Sequence, residues 1–166
     1  MFQLAGKMLF MNQNDPVLID AGVFIGALLQ GDSRHEEAFP LVKSARDGDL
    51  PACTTLGILS EVYAALTWKG AIPQHSPTEA SMAVKLLIEP PSEILLLSGS
   101  VEVGIKMLEL AEKHQLTARR IHDARHAALA ISAGIHSVYT YDNEDWKRFE
   151  PFLTITGPNS VIVRKS

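Results

Sequence analysis

The sequence predicts an α/β protein with a mostly parallel sheet and helices on both faces. Three observations carry that prediction. Short apolar runs alternate with stretches of helical periodicity, in the order β-α-β-α-α-β-α-α-β-α-β, along the 166 residues. Such alternation calls for crossover connections between parallel strands. The chain is 46% apolar, and a chain of this length can bury about 70% of the surface its unfolded form exposes, enough for one core without staples. Acidic residues stand just beyond apolar runs, at Asp20 and Asp142, which is where open parallel sheets hold their ligands.

Val17-Leu18-Ile19 is expected to be the first buried strand, and Ala21 to Leu29 a short helix. His35 to Arg46 has helical spacing, with Asp32 or Ser33 as N-cap and Pro40 expected to kink the helix or delay its start. Leu50 to Thr54 is the second strand, weakened by Pro51. Thr54 or Thr55 then caps a helix with apolar positions at Leu56, Leu59, Val62, Tyr63 and Leu66, ended by Gly70. Thr78 and Glu79 open another helix, which Pro90-Pro91 closes. Ile94 to Leu97 is apolar at every position and reads as a central parallel strand. Helices follow at Val101 to His114 and from Asp123 to Ala133, the latter stopped by Gly134. Ser137 to Tyr141 is the fourth strand, and Leu153 to Ile155 or Val161 to Val163 the last.

Composition narrows the function classes. Cys53 is the single cysteine, so no internal disulfide can form and a cytoplasmic setting is the simplest expectation. The longest apolar stretch, Val17 to Leu29, is interrupted by Asp20 and falls short of the roughly 18 residues a membrane span needs. The net charge of −4 speaks against strong non-specific binding to nucleic acid. Positive charge is local instead: Arg119, Arg120 and Arg125 flank Asp123, and Lys147 and Arg148 follow Asp142. These arginines are either ordinary solvated charges or a rim that grips phosphates. Residues 1–14 are expected to be a loose extension ahead of a single domain spanning residues 15–166.

The chemistry lies in four acids. Asp20, Glu61, Asp123 and Asp142 all fall where the alternating topology can bring them to one crevice. Crowded carboxylates repel unless a cation neutralises them. Mg²⁺ suits such a set, because it takes one or two protein carboxylates, keeps several waters and leaves room for phosphate. Thr140, two residues before Asp142, points to the same side in an extended chain. Each acid alone has a plainer role: Asp20 and Asp142 in turns, Glu61 in solvent, Asp123 at a helix start where the dipole favours its charged form. Asp145 is expected to cap or face solvent beside Trp146. What favours a site is that Asp20 and Glu61 interrupt strongly apolar surroundings.

The segments Val17-Leu18-Ile19-Asp20, Leu59-Ser60-Glu61-Val62, Ile121-His122-Asp123-Ala124 with Ala127-Ala128-Leu129-Ala130, and Val138-Tyr139-Thr140-Tyr141-Asp142-Asn143-Glu144-Asp145-Trp146 occur in this order. Together they resemble the PIN-domain family, and within it the VapC-type toxin ribonucleases, from about Val17 to Val163. The resemblance implies a three-layer α/β/α sandwich and Mg²⁺- or Mn²⁺-dependent cleavage of RNA. It implies that Asp20, Glu61, Asp123 and Asp142 are the catalytic and metal-holding quartet, with Thr140 as supporting hydroxyl. It also implies a homodimer and a small antitoxin partner, whose basic side chain often reaches into the acid pocket. One position departs from the family: two residues after the first Asp, where Asn, Ser or Thr is usual, stands Gly22.

Two rival readings stay open. Gly22 favours a catalytically weak or inactive module that binds RNA or protein. His122 and His126, one helical turn apart, could serve a zinc hydrolase, although Asp123 follows the first His where zinc proteases place Glu. No Gly-x-Gly-x-x-Gly follows the first strand, which disfavours a dinucleotide enzyme.

Overall fold

The computed structural model describes residues 15–157. Five strands form one parallel sheet: β1 (Val17–Ile19), β2 (Ala52–Thr55), β3 (Leu95–Leu97), β4 (Ser137–Tyr139) and β5 (Thr154–Thr156), ordered β3-β2-β1-β4-β5. Seven helices flank it among the described residues: α1 (Ala21–Leu28), α2 (His35–Arg46), α3 (Leu56–Thr67), α4 (Pro77–Ile88), α5 (Val101–Lys113), α6 (Ile121–Ser132) and α7 (Asn143–Trp146). Packing joins α1 to α2 and α3, α3 to α4, and α5 to α6. This is the expected three-layer α/β/α sandwich.

The strand order explains where a site can form. From β1 the chain builds outward through β2 to β3, then returns to the other side of β1 with β4 and β5. The order reverses between β1 and β4, and a crevice opens there beyond the strand ends. All three residues of β1 are buried, as a centre strand covered on both faces requires. Leu18 pairs with Cys53 on one side and Val138 on the other. Cys53 is fully buried, and burial pushes its thiol up to about 12.

Local chemistry sets the helix ends. Thr55 is the N-cap of α3, its hydroxyl accepting from Ile58 N at 3.1 Å. Ser76 caps α4 through a capping box with Glu79, and Pro77 occupies the first helical position, so this helix begins earlier than Thr78. Gly134, at φ +74°, ends α6 in the left-handed conformation that suits glycine.

Several expectations are corrected. Ile94–Leu97 is not a central strand: β3 lies at the sheet edge, with Leu95 and Leu96 exposed. An all-apolar run on an edge looks the same in sequence as one in the middle. Leu56 and Tyr63 are exposed, and Ile58 takes the buried position on α3. Neither Asp32 nor Ser33 caps α2; Arg34 occupies that place without a side-chain cap. The helix starts at His35 and continues past Pro40, which is exposed, so Pro40 does not delay its start. Asp123 does not open its helix but sits third in α6, after a 3-10 turn at Ala118–Arg120. β4 stops at Tyr139, leaving Thr140 and Tyr141 in the loop above the sheet. The last strand is the Thr154–Thr156 alternative; Val161 to Val163, like residues 1–14, lies outside the described residues.

Candidate active site

Asp20, Glu61, Asp123 and Asp142 line one cavity of about 370 Å³ above the β1–β4 crevice, with Gly22, His126, Thr140, Tyr141, Asp145 and Trp146. Each arrives on a different element. Asp20 follows β1 and caps α1, its Oδ1 accepting from Ala21 N at 2.9 Å. Glu61 projects from the second turn of α3, Asp123 from the first turn of α6, and Asp142 caps α7.

Buried hydrogen bonds hold these acids in place. The Thr140 hydroxyl is fully buried; it donates to Asp20 Oδ2 at 2.7 Å and accepts from Asp142 N at 2.9 Å. One threonine thus links the loop after β1 to the loop after β4. Trp146 Nε1 donates to the same Asp20 oxygen at 3.0 Å, from an indole that is 2% exposed. Glu61 is steadied by His126, whose Nε2 lies 3.0 Å from Glu61 Oε1. His126 Nδ1 lies 2.9 Å from Thr55 Oγ1. An ionised Glu61 can only accept, so Nε2 carries a proton. In the neutral ring Nδ1 then accepts from the Thr55 hydroxyl, and Thr55 in turn accepts from Ile58 N.

Electrostatics reveal the crowding. The Asp123 carboxyl is pushed up to about 6, chiefly by burial and then by the charges of Asp145 and Asp20, while His126 and Arg148 oppose the rise. Asp142 is raised as well, by burial and by Asp145. At the helix start the charged form of Asp123 is therefore disfavoured relative to a free carboxyl, since burial and like charges outweigh the dipole. Asp145, expected to cap or face solvent, lines the cavity and contributes to this repulsion.

Among the described residues no three His, Cys, Asp or Glu side chains already stand as a preformed metal cluster. Asp20 is engaged by Thr140 and Trp146, and Glu61 is turned onto His126. The donor chemistry nonetheless fits a hard divalent cation: carboxylate oxygens from four elements, with the Asp123 carboxyl raised first by burial and then by the charges of Asp145 and Asp20. The histidine pair offers less to zinc, because His122 is exposed whereas His126 is buried and bonded on both nitrogens.

The arginines near Asp123 in sequence fare differently from the acids. Arg119 and Arg120 are exposed on the 3-10 turn before α6. Arg125 does not line the acidic cavity; it lines a separate apolar one beside Leu56, Leu96 and Met107. Sequence reasoning misses Asp145 as a cavity residue and misses the hydrogen bonds by which His126 and the Trp146 indole hold Glu61 and Asp20. The signal available for Trp146 is its place directly after Asp145 in the Asp142–Trp146 segment, and for His126 its position three residues after Asp123.

The PIN-domain family model matches residues 17–150. No curated protein is close enough in sequence to count as a match. Solved structures resemble the fold. VapC20 from Mycobacterium tuberculosis, described as a toxin that cleaves the sarcin–ricin loop, has a TM-score of 0.59 at 17% identity over 79% of this chain and 93% of its own. VapBC from Salmonella typhimurium, bound to DNA, has a TM-score of 0.57 at 20% identity over 86% of this chain and 98% of the matched one. VapBC-1 from nontypeable Haemophilus influenzae has a TM-score of 0.59 at 14% identity, over 86% and 98% respectively.

Proposed function

Because the chain belongs to the PIN-domain family, we propose that it is a divalent-cation-dependent endoribonuclease, the toxin of a toxin–antitoxin pair. The observation that carries this reading is the meeting of Asp20, Glu61, Asp123 and Asp142 in one cavity at the strand-order reversal. These four residues would hold one or two Mg²⁺ or Mn²⁺ ions. A bound ion of this kind lowers the pKa of a water and offsets charge that builds on phosphoryl oxygens. The chain's own residues do the positioning. Thr140 and Trp146 fix the Asp20 carboxylate, and His126 fixes Glu61. Thr140 also anchors the Asp142 backbone, so one hydroxyl sets the spacing of two acids. Asp145 adds negative charge at the wall and so favours a cation there.

Two partners accompany this reading. An antitoxin is one, since several similar structures are toxin–antitoxin complexes, including one from Klebsiella pneumoniae. A second copy of the chain is the other. Leu56, Leu95, Leu96, Val101, Ile105 and Leu108 are large, apolar and exposed around edge strand β3 and α5, more than isolated surface residues account for. A cytoplasmic location goes with an RNA substrate; no helix among the described residues is long and apolar enough to cross a membrane.

The test is incubation of purified protein with cellular RNA, with and without Mn²⁺, beside Asp123→Asn. Metal-dependent cleavage that the variant lacks supports the enzyme. The second reading, a PIN-like binding module, is favoured by Gly22 and by the lack of a preformed cluster among the described residues. It expects RNA binding with no cleavage, or cleavage that persists unchanged in Asp123→Asn as a contaminant.

A further inference from the structure

Gly22, the departure noted in the sequence, is not an empty position. A Cβ built there would lie 3.2 Å from Arg34 Nη1. One turn further along α1, a Cβ at Gly26 would lie 3.2 Å from Arg34 Cβ. The two glycines give Arg34 room to lie along α1, and its guanidinium ends beside Gly22 and Tyr141, both of which line the acidic cavity. Its carbon Cζ sits 5.0 Å from the Tyr141 ring centroid, a cation–π distance.

The guanidinium is held at one edge. Asp32 accepts from Nε at 2.8 Å and from Nη2 at 2.7 Å, a bidentate pair with fixed geometry. Asp32 Oδ1 also accepts from Arg34 N at 2.8 Å, tying the pair to the backbone at the start of α2. Nη1 is not among the nitrogens that Asp32 holds, and it is the nitrogen over Gly22. A planar cation locked on one edge, with two N–H groups at the rim of a phosphodiester-cleaving cavity, matches the geometry of oxyanion recognition.

We propose that Arg34 binds a backbone phosphate of the RNA next to the scissile bond, and that Gly22 exists to admit it. This rests on the ribonuclease reading above. A side chain at position 22 would reach from α1 itself; here the polar group comes from the start of α2 and brings a positive charge, useful beside four carboxylates. The competing role is structural: Arg34 and Asp32 could merely clamp the turn between α1 and α2.

Initial rates of Mn²⁺-dependent cleavage of pooled cellular RNA, measured over a range of salt concentrations, separate these roles. Arg34→Met should lower kcat/KM about tenfold, as loss of a charge-assisted bond does, with kcat near saturation changed less than about twofold. Its salt dependence should become shallower by about one phosphate contact, a slope change of roughly 0.7 for single-stranded RNA. Arg34→Lys should recover part of the loss. Gly22→Ala keeps every charge and favours the helix, yet crowds Nη1; it should shift KM the same way without lowering the melting temperature, and it carries the test should Arg34→Met fail to fold. A lowered melting temperature with KM and salt slope unchanged would overturn the proposal and leave the ribonuclease standing. Wild-type protein that neither binds nor cuts RNA overturns both.

Discussion

Two cavities on opposite sides of β2 are built on opposite principles. The acidic one, about 370 Å³ at the β1–β4 crevice, is polar and internally tied: Thr140 and Trp146 reach Asp20 from 120 and 126 residues away, and His126 reaches Glu61 across 65. The apolar one, about 580 Å³ beside edge strand β3, is walled by Leu56, Leu96, Leu97, Val103 and Met107, and its one guanidinium, Arg125, has a buried Nε with no partner among the described residues. The first ties its charged groups in place with buried and half-buried hydrogen bonds. The second presents exposed apolar surface. On the proposed reading, preorganised hydrogen bonding goes with the chemistry and uncovered leucines with a contact.

The largest expected effect breaks the acidic side. Trp146 is nearly fully buried and carries the bond to Asp20, so Trp146→Ala should cost about 3–5 kcal/mol in denaturant unfolding. Trp146→Phe keeps most of the packing and should cost about 1 kcal/mol, the value of the lost hydrogen bond. No loss in Trp146→Phe would mean that the indole N–H does nothing for Asp20.

The apolar side should respond differently. Leu56 is 69% exposed at the first position of α3, so Leu56→Glu removes little buried surface and places a negative charge at a helix N-terminus. Monomer stability should change by less than about 0.5 kcal/mol, while light scattering should show the proposed dimer dissociating. An unchanged oligomer would separate this face from self-association.

A smaller effect sharpens the electrostatic half of the contrast. Asp123 has a folded pKa of about 6 against an ordinary 3.8, so the folded state binds the proton more tightly than the unfolded state. Its contribution therefore destabilises the protein above about pH 6 and is relieved as pH falls towards 4. For a half-buried group, screening reduces this to on the order of 1 kcal/mol. In chelator, the wild type should gain stability from pH 7 to pH 4.5 relative to Asp123→Asn. Asp32, whose pKa Arg34 holds below the ordinary value, loses its contribution only at lower pH, so the two windows separate. A wild type that weakens in parallel with Asp123→Asn over this range contradicts the crowding.

Most of the fold is legible in the sequence because periodicity and punctuation are local. The apolar runs that form β1 and β4, the Thr55 cap and the Gly134 stop all follow from neighbours in the chain. What the sequence hides depends on strand order. Ile94–Leu97 looks central because nothing local distinguishes an edge, and Leu56 looks buried because one face of α3 is apolar beyond what the core covers. The acids stand out because carboxylates interrupt apolar segments. Their holders are harder to see: His126 and Trp146 look like core residues until the partner oxygens are known. Arg125 is near Asp123 in sequence, but two positions along a helix turn a side chain well away. Arg34 is invisible because it works through an absence, the missing side chain at Gly22.

The central claim is that crowded carboxylates await a hard cation, and the most direct measurement is the melting temperature during a Mn²⁺ titration of wild type, Asp123→Asn and Asp142→Asn. The wild type should rise with Mn²⁺ as ligand linkage requires. Both variants should lose most of that rise, and Asp123→Asn should match or exceed the wild type in chelator. No rise in the wild type, an equal rise in all three, or a clear loss of stability in Asp123→Asn without metal would contradict the account.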